Sequence, residues 1–257
     1  MTEPLYLDDS SVREFEARVE RVIDDRDTSR VVLDRTHFYP EGGGQPADRG
    51  VLRAESGVQW TVTDVQKGNE IYHTVEGEGP SEGESVVGEI DDERRAAHTR
   101  YHTAQHLLSA LLLSEYDAPT TGNQIYADRA RLDCAYGRFS TDDLAAIETR
   151  MNELVRASLD VRWYTLARER AEAELDPERT RLDLLPESIT EVRVVEIGEG
   201  VASNPDGAPA DPETVYDRVA CAGTHVSNTA AIGCVSVTGR ETRGASEERI
   251  AFVLDNE

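Results

Sequence analysis

An α+β fold is predicted for this chain of 257 residues, with a small β-barrel in its N-terminal part. Three observations carry the expectation. Up to about residue 90, short strand-like runs are separated by Gly- and Pro-rich turns at close spacing. From Asp91 the pattern becomes helical over a long stretch, and a second amphipathic helix follows. Strand-like runs return beyond residue 190. The expected division is residues 1–90 as the barrel and residues 91–257 as a second, α+β domain.

Each element has its own justification. Residues 13–30 fit a helix or a strand equally well. The run "RVVLDRTHFYP" (30–40) reads as a strand leading into a loop, and "EGGGQPADRG" (41–50) as a glycine-rich turn. Alternation in "GVQWTVTDVQKGNEIYHTV" (57–75), with "KGN" between its halves, predicts a hairpin. A polar, Gly-rich stretch (76–85) precedes "VVGEI". "DDERRAAHTRYHTAQHLLSALLLSEY" (91–116) predicts a helix capped by Asp91 or Asp92, with acidic residues in its first turn. Ser140 or Thr141 caps the next helix (140–160), whose Leu144, Ile147, Met151, Leu154 and Val155 share one face. A third helix is expected at 165–175, then strands at 192–197, 216–220, 232–238 and 249–254.

Composition narrows the setting. No apolar run approaches 18 residues, and the N-terminus has neither a basic region nor an apolar stretch, so neither a membrane span nor a signal peptide is expected. A cytoplasmic protein is the expectation. Three cysteines are too few and too scattered for a disulfide framework, and Cys134 and Cys234 read as core residues. The net charge is −24, and Lys67 is the only lysine. At low ionic strength such a chain repels itself and repels nucleic acid. In molar salt the Debye length falls to about 3 Å and both effects shrink. The composition resembles that of a halophilic protein, with an ordinary acidic protein as the alternative, and on either reading the charge does not exclude a nucleic-acid partner.

The chemistry concentrates in "HTRYHTAQHLL". His98, His102 and His106 are half of the six histidines, at every fourth position of the predicted helix. Residues four apart sit one turn apart on nearly the same side, which suits a two-point metal clamp. All three cannot hold one ion: His98 and His106 are about 12 Å apart along the axis and rotated by about 80°. Geometry does not say which terminal histidine is left out. An isolated pair more often serves no metal, but "CAGTHV" supplies a second one, Cys221 and His225, also four apart. One thiolate and three imidazoles make a full zinc donor set.

"HTAQHLL", followed well downstream by "CAGTHVSNTAAIGCVSV", resembles the HxxxH…CxxxH signature of the alanyl-tRNA synthetase editing domain and of its free-standing AlaX relatives. "HFYPEGGGQPADRG" (37–50) is similar to that family's glycine-rich motif, and "TGNQIYADRARLDC" (121–134) to the segment after its zinc helix. The likeness runs from about residue 30 to 254 and fits the medium-length form. It selects His102 and His106 and leaves His98 aside. It implies one Zn2+ per chain, held by His102, His106, Cys221 and His225. It also implies ATP-independent hydrolysis of mischarged alanine tRNA, removing serine and, as a further substrate, glycine. An alanine site cannot strongly reject either amino acid, so an editing step is needed.

Four protein ligands would close the zinc site, whereas a second-shell His225 would leave a position for water; both arrangements stand. Gln45, Thr121 and Thr224 are the catalytic candidates. Gly43, Gly44, Arg129 and Arg131 are the substrate-binding ones, with Arg94, Arg95 and Arg100 as further phosphate contacts. A tight turn is the simpler role for the glycines, a strand-end hydrogen bond for Thr224, and ion pairing for the arginines. The partner is mischarged tRNA(Ala), with no membrane, and the chain is a monomer or homodimer. A zinc hydrolase of another ester or amide and a non-catalytic tRNA-binding protein are the competing readings.

Overall fold

The computed structural model describes residues 1–177, 179–180, 182–186, 188–201, 213–244 and 246–255. They form a mixed α+β fold in two compact units, Met1–Thr99 and Arg100–Glu257.

In the first unit a two-residue strand β1 (Glu3–Pro4) opens the chain, followed by β2 (Glu14–Asp25), β3 (Thr28–Leu33), β4 (Arg35–Thr36), β5 (Gly50–Ala54), β6 (Gln59–Lys67), β7 (Ile71–Glu76) and β8 (Ser85–Ile90). Six of these close a barrel in the order β2-β3-β7-β6-β5-β8, while β1 and β4 pair in parallel. Closure depends on β2. Its first half pairs with β8 and its second with β3, across a register shift between Val19 and Arg21. That shift explains the ambiguity of residues 13–30. Phe15, Ala17 and Val19 alternate as a strand should, but the bulge displaces the next apolar pair to Val22 and Ile23, at helical spacing from Val19. A second bulge, between Val62 and Asp64, puts Val62 and Val65 both inside the barrel. Together with Val19, Val31, Leu33, Leu52 and Val75 they form its core.

Helix α1 (Asp92–Tyr116) begins as expected, with the Asp91 carboxylate accepting from the Arg94 amide at 3.1 Å. Arg95, in its first turn, has no exposed surface. Its guanidinium meets both oxygens of the equally buried Asp48, with further bonds to the carbonyls of Ser10 and His37. The Asp48 carboxylate also accepts from the Tyr39 amide at 2.6 Å. Arg95 therefore cannot reach a tRNA phosphate, which corrects the sequence expectation: a charge inside a packed unit is tolerated only with its counter-ion.

The second unit holds the rest of α1, then β9 (Thr120–Ile125), β10 (Ala130–Cys134), α2 (Thr141–Arg156), β11 (Asp160–Ala167), α3 (Arg168–Glu174), β12 (Glu191–Gly198), β13 (Val215–Ala220), β14 (Cys234–Thr242) and β15 (Glu248–Asp255). Its two antiparallel sheets run β14-β15-β10-β9 and β11-β12-β13. Ser140 caps α2 in a capping box with Asp143. The expected helix at 165–175 starts late, because the strand run of β11 carries on to Ala167. Cys134 is buried as expected, but Cys234 is exposed at the start of β14 and is not a core residue. No helix of the described residues is long and apolar enough to cross a membrane.

Two predictions follow from the first unit. Arg95→Met should cost about 3–5 kcal/mol, since it strands the buried Asp48 charge, and adding Asp48→Leu should restore part of the loss. An unchanged denaturation midpoint in Arg95→Met would refute this. The second concerns His73, whose Nδ1–H donates to the Val31 carbonyl at 3.0 Å while Nε2 accepts from Thr36 Oγ1 at 2.8 Å. Burial pushes its pKa down from 6.5 to about 4, so between those values only the unfolded chain takes up the proton. This contribution is complete above pH 6.5 and falls away by about 3 kcal/mol as pH drops to 4. His73→Gln should flatten that part of the pH dependence in denaturant titrations; a slope equal to wild type would count against it.

Candidate metal centre

Residues 101–112 of α1 are buried at every position, so this part of the helix has no solvent face. A polar side chain there needs a partner from the protein or a ligand. His102 and His106, one turn apart, have ring centroids 5.3 Å from each other. The His225 ring lies 4.5 Å from the first and 4.6 Å from the second. Cys221 completes the group from the end of β13. On that strand Asp217 and Val219 point inward, and Cys221 continues the same period-two face.

The loop after β13 is held from β12. Arg193 NH1 donates to the carbonyls of Cys221 and Gly223 at 2.7 and 3.0 Å, and its own carbonyl accepts from the Cys221 amide. Its guanidinium lies over the Trp163 ring. The Gly223 amide approaches the Cys221 sulfur at 3.4 Å. The loop therefore arrives with its carbonyls occupied and its sulfur facing the helix.

The four donor atoms of His102, His106, Cys221 and His225 all lie within 4.8 Å of one another. Cys221 Sγ is 3.5 Å from His102 Nε2 and 3.4 Å from His225 Nε2. In a tetrahedral zinc site, bond lengths of about 2.0–2.1 Å to nitrogen and about 2.3 Å to sulfur put neighbouring ligands about 3.3–3.6 Å apart. Spacing and donor chemistry thus fit a metal ion. His98 is buried one turn earlier on α1 and is not part of this group.

The remote ring nitrogens of His225 and His106 are engaged as ligand imidazoles require. His225 Nδ1 lies 3.2 Å from Thr103 Oγ1, which also accepts from the Val226 amide. His106 Nδ1 lies 3.0 Å from Asp217 Oδ2. The electrostatics follow from the packing. Burial works to raise the Cys221 pKa, but the three imidazoles outweigh it and hold the thiol well below 9. Burial would likewise lower His106, yet the Cys221 thiolate and Asp217 raise it to about 9. Burial lowers His225 to about 3, with His102 and His106 adding to it against the pull of Cys221. The packing therefore favours the thiolate form of Cys221.

The remaining sequence candidates occupy distinct places. Gly43 and Gly44 form a tight turn with φ of 59° and 82°, closed by reciprocal bonds between Gly42 and Gln45. A Cβ on Gly43 would meet nothing within 4 Å, so the turn geometry accounts for the glycine. Gln45 is 1% exposed. Thr224 is fully buried next to His225, whereas Thr121 is exposed and donates to Glu247 at 2.6 Å. Arg129 is exposed, pairs with Asp128 and lies over the Tyr126 ring. Arg131 lies 3.6 Å from Asp133, and its carbonyl accepts from Gln105. Sequence reasoning missed Asp217, Thr103 and Arg193. Only Asp217 left a signal, as an acid two and four positions before Val219 and Cys221 in an alternating run.

Comparison with known proteins adds to this geometry. Residues 192–251 match the family described as threonyl and alanyl tRNA synthetase second additional domain. Residues 10–94 match the family of class II (A) tRNA synthetases. The alanyl-tRNA editing protein AlaX-M of Methanosarcina barkeri is 40% identical over 99% of both chains. Its counterpart in Methanosarcina acetivorans is 39% identical over 99% of both. The alanine–tRNA ligase of Pyrobaculum neutrophilum is 40% identical over 98% of this chain but only 27% of the ligase.

The donor group should bind one equivalent of zinc or cobalt. With cobalt, a sulfur-to-metal charge-transfer band should be present in the wild type and absent in Cys221→Ala. Metal binding with no such band would remove Cys221 from the ligand set.

Proposed function

This chain belongs to the AlaX-M family of alanyl-tRNA editing proteins, and from that premise we propose that it deacylates mischarged alanine tRNA in trans. Full-length similarity to proteins named for that activity, over 99% of both chains, carries the reading. The donor group on α1 and after β13 supports it, as the place where the ester would be cleaved.

The proposed substrate is Ser-tRNA(Ala), with Gly-tRNA(Ala) as a second. His102, His106 and Cys221 would hold one Zn2+, with His225 either as the fourth ligand, the ion then orienting the aminoacyl end, or behind the first three, which would leave a position for Lewis-acid chemistry. The chain's own residues set the conditions. Thr103 and Asp217 hold the rings of His225 and His106 by Nδ1, leaving Nε2 of each for the metal. Arg193 fixes the loop that presents the Cys221 sulfur.

For discrimination, a site built to hydrogen-bond the seryl hydroxyl leaves polar groups unpaired when alanine is present, which spares the correct ester. Thr224, buried beside His225, is the proposed reader of that hydroxyl, and the amide of Gln45 is proposed to hold the substrate. Thr121 would have to exchange Glu247 for the substrate. Gly43 and Gly44 are proposed substrate contacts through their backbone. Arg129, exposed over Tyr126, and Arg131 are the proposed contacts to the tRNA itself. A cytoplasmic, halophilic setting completes the reading and follows from composition alone.

The test is deacylation in molar KCl of one alanine tRNA charged with serine or with alanine, by wild type and His106→Ala. Loss of serine alone, reduced at least about 100-fold by the substitution, is expected, as for removal of a group that supports catalysis directly. Retention of both amino acids by folded, metal-loaded protein would overturn the editing reading and favour a hydrolase of another ester.

A further inference from the structure

The polar contacts that begin at His106 continue past Asp217. Asp217 is 4% exposed, and its two carboxylate oxygens are divided. Oδ2 faces His106 Nδ1, and Oδ1 accepts from Arg179 NH2 at 2.5 Å. The other terminal nitrogen of the same guanidinium, NH1, donates to Ser109 Oγ. Ser109 lies three residues beyond His106 on α1, and its hydroxyl also meets Thr120 Oγ1 on β9 at 2.5 Å.

The two elements that Arg179 touches are those that deliver the two halves of the donor group. α1 carries His102 and His106, and β13 leads into Cys221. Arg179 comes from neither. It comes from the turn after α3, where its amide and that of Thr180 both bond to the Asp176 carbonyl. Thr180 Oγ1 accepts from the Ala220 amide at 3.3 Å, which fastens the turn to β13 immediately before Cys221. A planar guanidinium can hold a hydroxyl and a carboxylate at fixed separation, whereas a lysine ammonium offers one charged point.

We propose that Arg179 is a positioning residue for the donor group. Through Asp217 it fixes the His106 ring with Nε2 toward the other donors, and through Ser109 it sets the spacing of α1 and β13. This rests on the reading of the four donors as a metal site. It assigns a task to Arg179 and Thr180, which lie outside the donor group. It also makes a specific demand. Arg179 borders an open cleft of about 560 Å³ lined by Ala110, Glu174, Asp176, Tyr216 and Arg218 among others, so a small cation can reach the space its side chain leaves.

The experiment measures zinc affinity of the full-length protein by chelator competition in molar KCl, with thermal unfolding of each variant recorded alongside. Arg179→Ala and Asp217→Asn should each weaken zinc 10–100-fold, the range for removal of a partner behind a ligand histidine. Arg179→Lys should fall between Arg179→Ala and wild type, because it recovers the Asp217 contact but not Ser109. Millimolar guanidinium should restore affinity to Arg179→Ala and leave Asp217→Asn unchanged. Wild-type affinity in folded Arg179→Ala, or a loss that guanidinium does not repair while Asp217→Asn binds normally, would overturn the proposal. Failure of the wild type itself to bind zinc would instead sink the metal reading beneath it.

Discussion

Four donor atoms supplied from positions 119 residues apart must meet inside the protein, and most of the second unit is arranged to let them. The stretch of α1 that carries two of them is buried on every side. An imidazole placed there without partners would cost several kcal/mol in lost hydration. The cost is offset because Thr103 holds one remote ring nitrogen and Asp217 another. The Nε2 atoms of His102 and His225 converge on the Cys221 sulfur. A helix with a solvent face would have allowed water to satisfy these groups, and the convergence would then have had no physical driving force.

The same logic governs the carboxylates. The chain has 51 acidic residues, yet among those described only Asp48, Glu196, Asp217 and Glu248 are buried. Each faces an arginine: Arg95, Arg162, Arg179 and Arg240 respectively. A planar fork matches a carboxylate with two bonds, and it is more weakly hydrated than an ammonium and so less costly to bury. The single lysine, Lys67, takes no part in these pairs. The excess negative charge is thus left to the surface, where salt screens it, while the interior is locally neutral.

These facts set the limit of what could be read from sequence. Helices α1 and α2 were legible because their caps and apolar spacing are local properties of adjacent turns. The four candidate donors were legible because each pair sits four apart and the family resemblance set His98 aside. β2 was not, since a bulge breaks its period in mid-strand. The hairpin of β9 and β10 was not, since β9 is polar along most of its length and takes its place from pairing with β10, which itself pairs with β15. Arg95 reads as a surface arginine in any window of neighbours, because its partner Asp48 is 47 residues away. Cys234 read as a core residue by type alone, but its strand begins at the surface. Asp217 stood on a legible face, yet nothing local separates an inward acid from an exposed one.

The donor group is held in place by its protein neighbours. The Cys221 loop is held by two carbonyl contacts from Arg193 and by its own amide, and the sulfur already accepts from the Gly223 amide. Three rings are packed against one another at centroid distances near those of stacked aromatic pairs. Contacts of this kind spread the cost of ordering the four side chains over the surrounding fold. Under the proposed editing function, discrimination between seryl and alanyl esters would come from what surrounds the donors. Thr224, the proposed reader of the seryl hydroxyl, is fully buried one residue from His225, in the loop whose Cys221 and Gly223 carbonyls Arg193 holds.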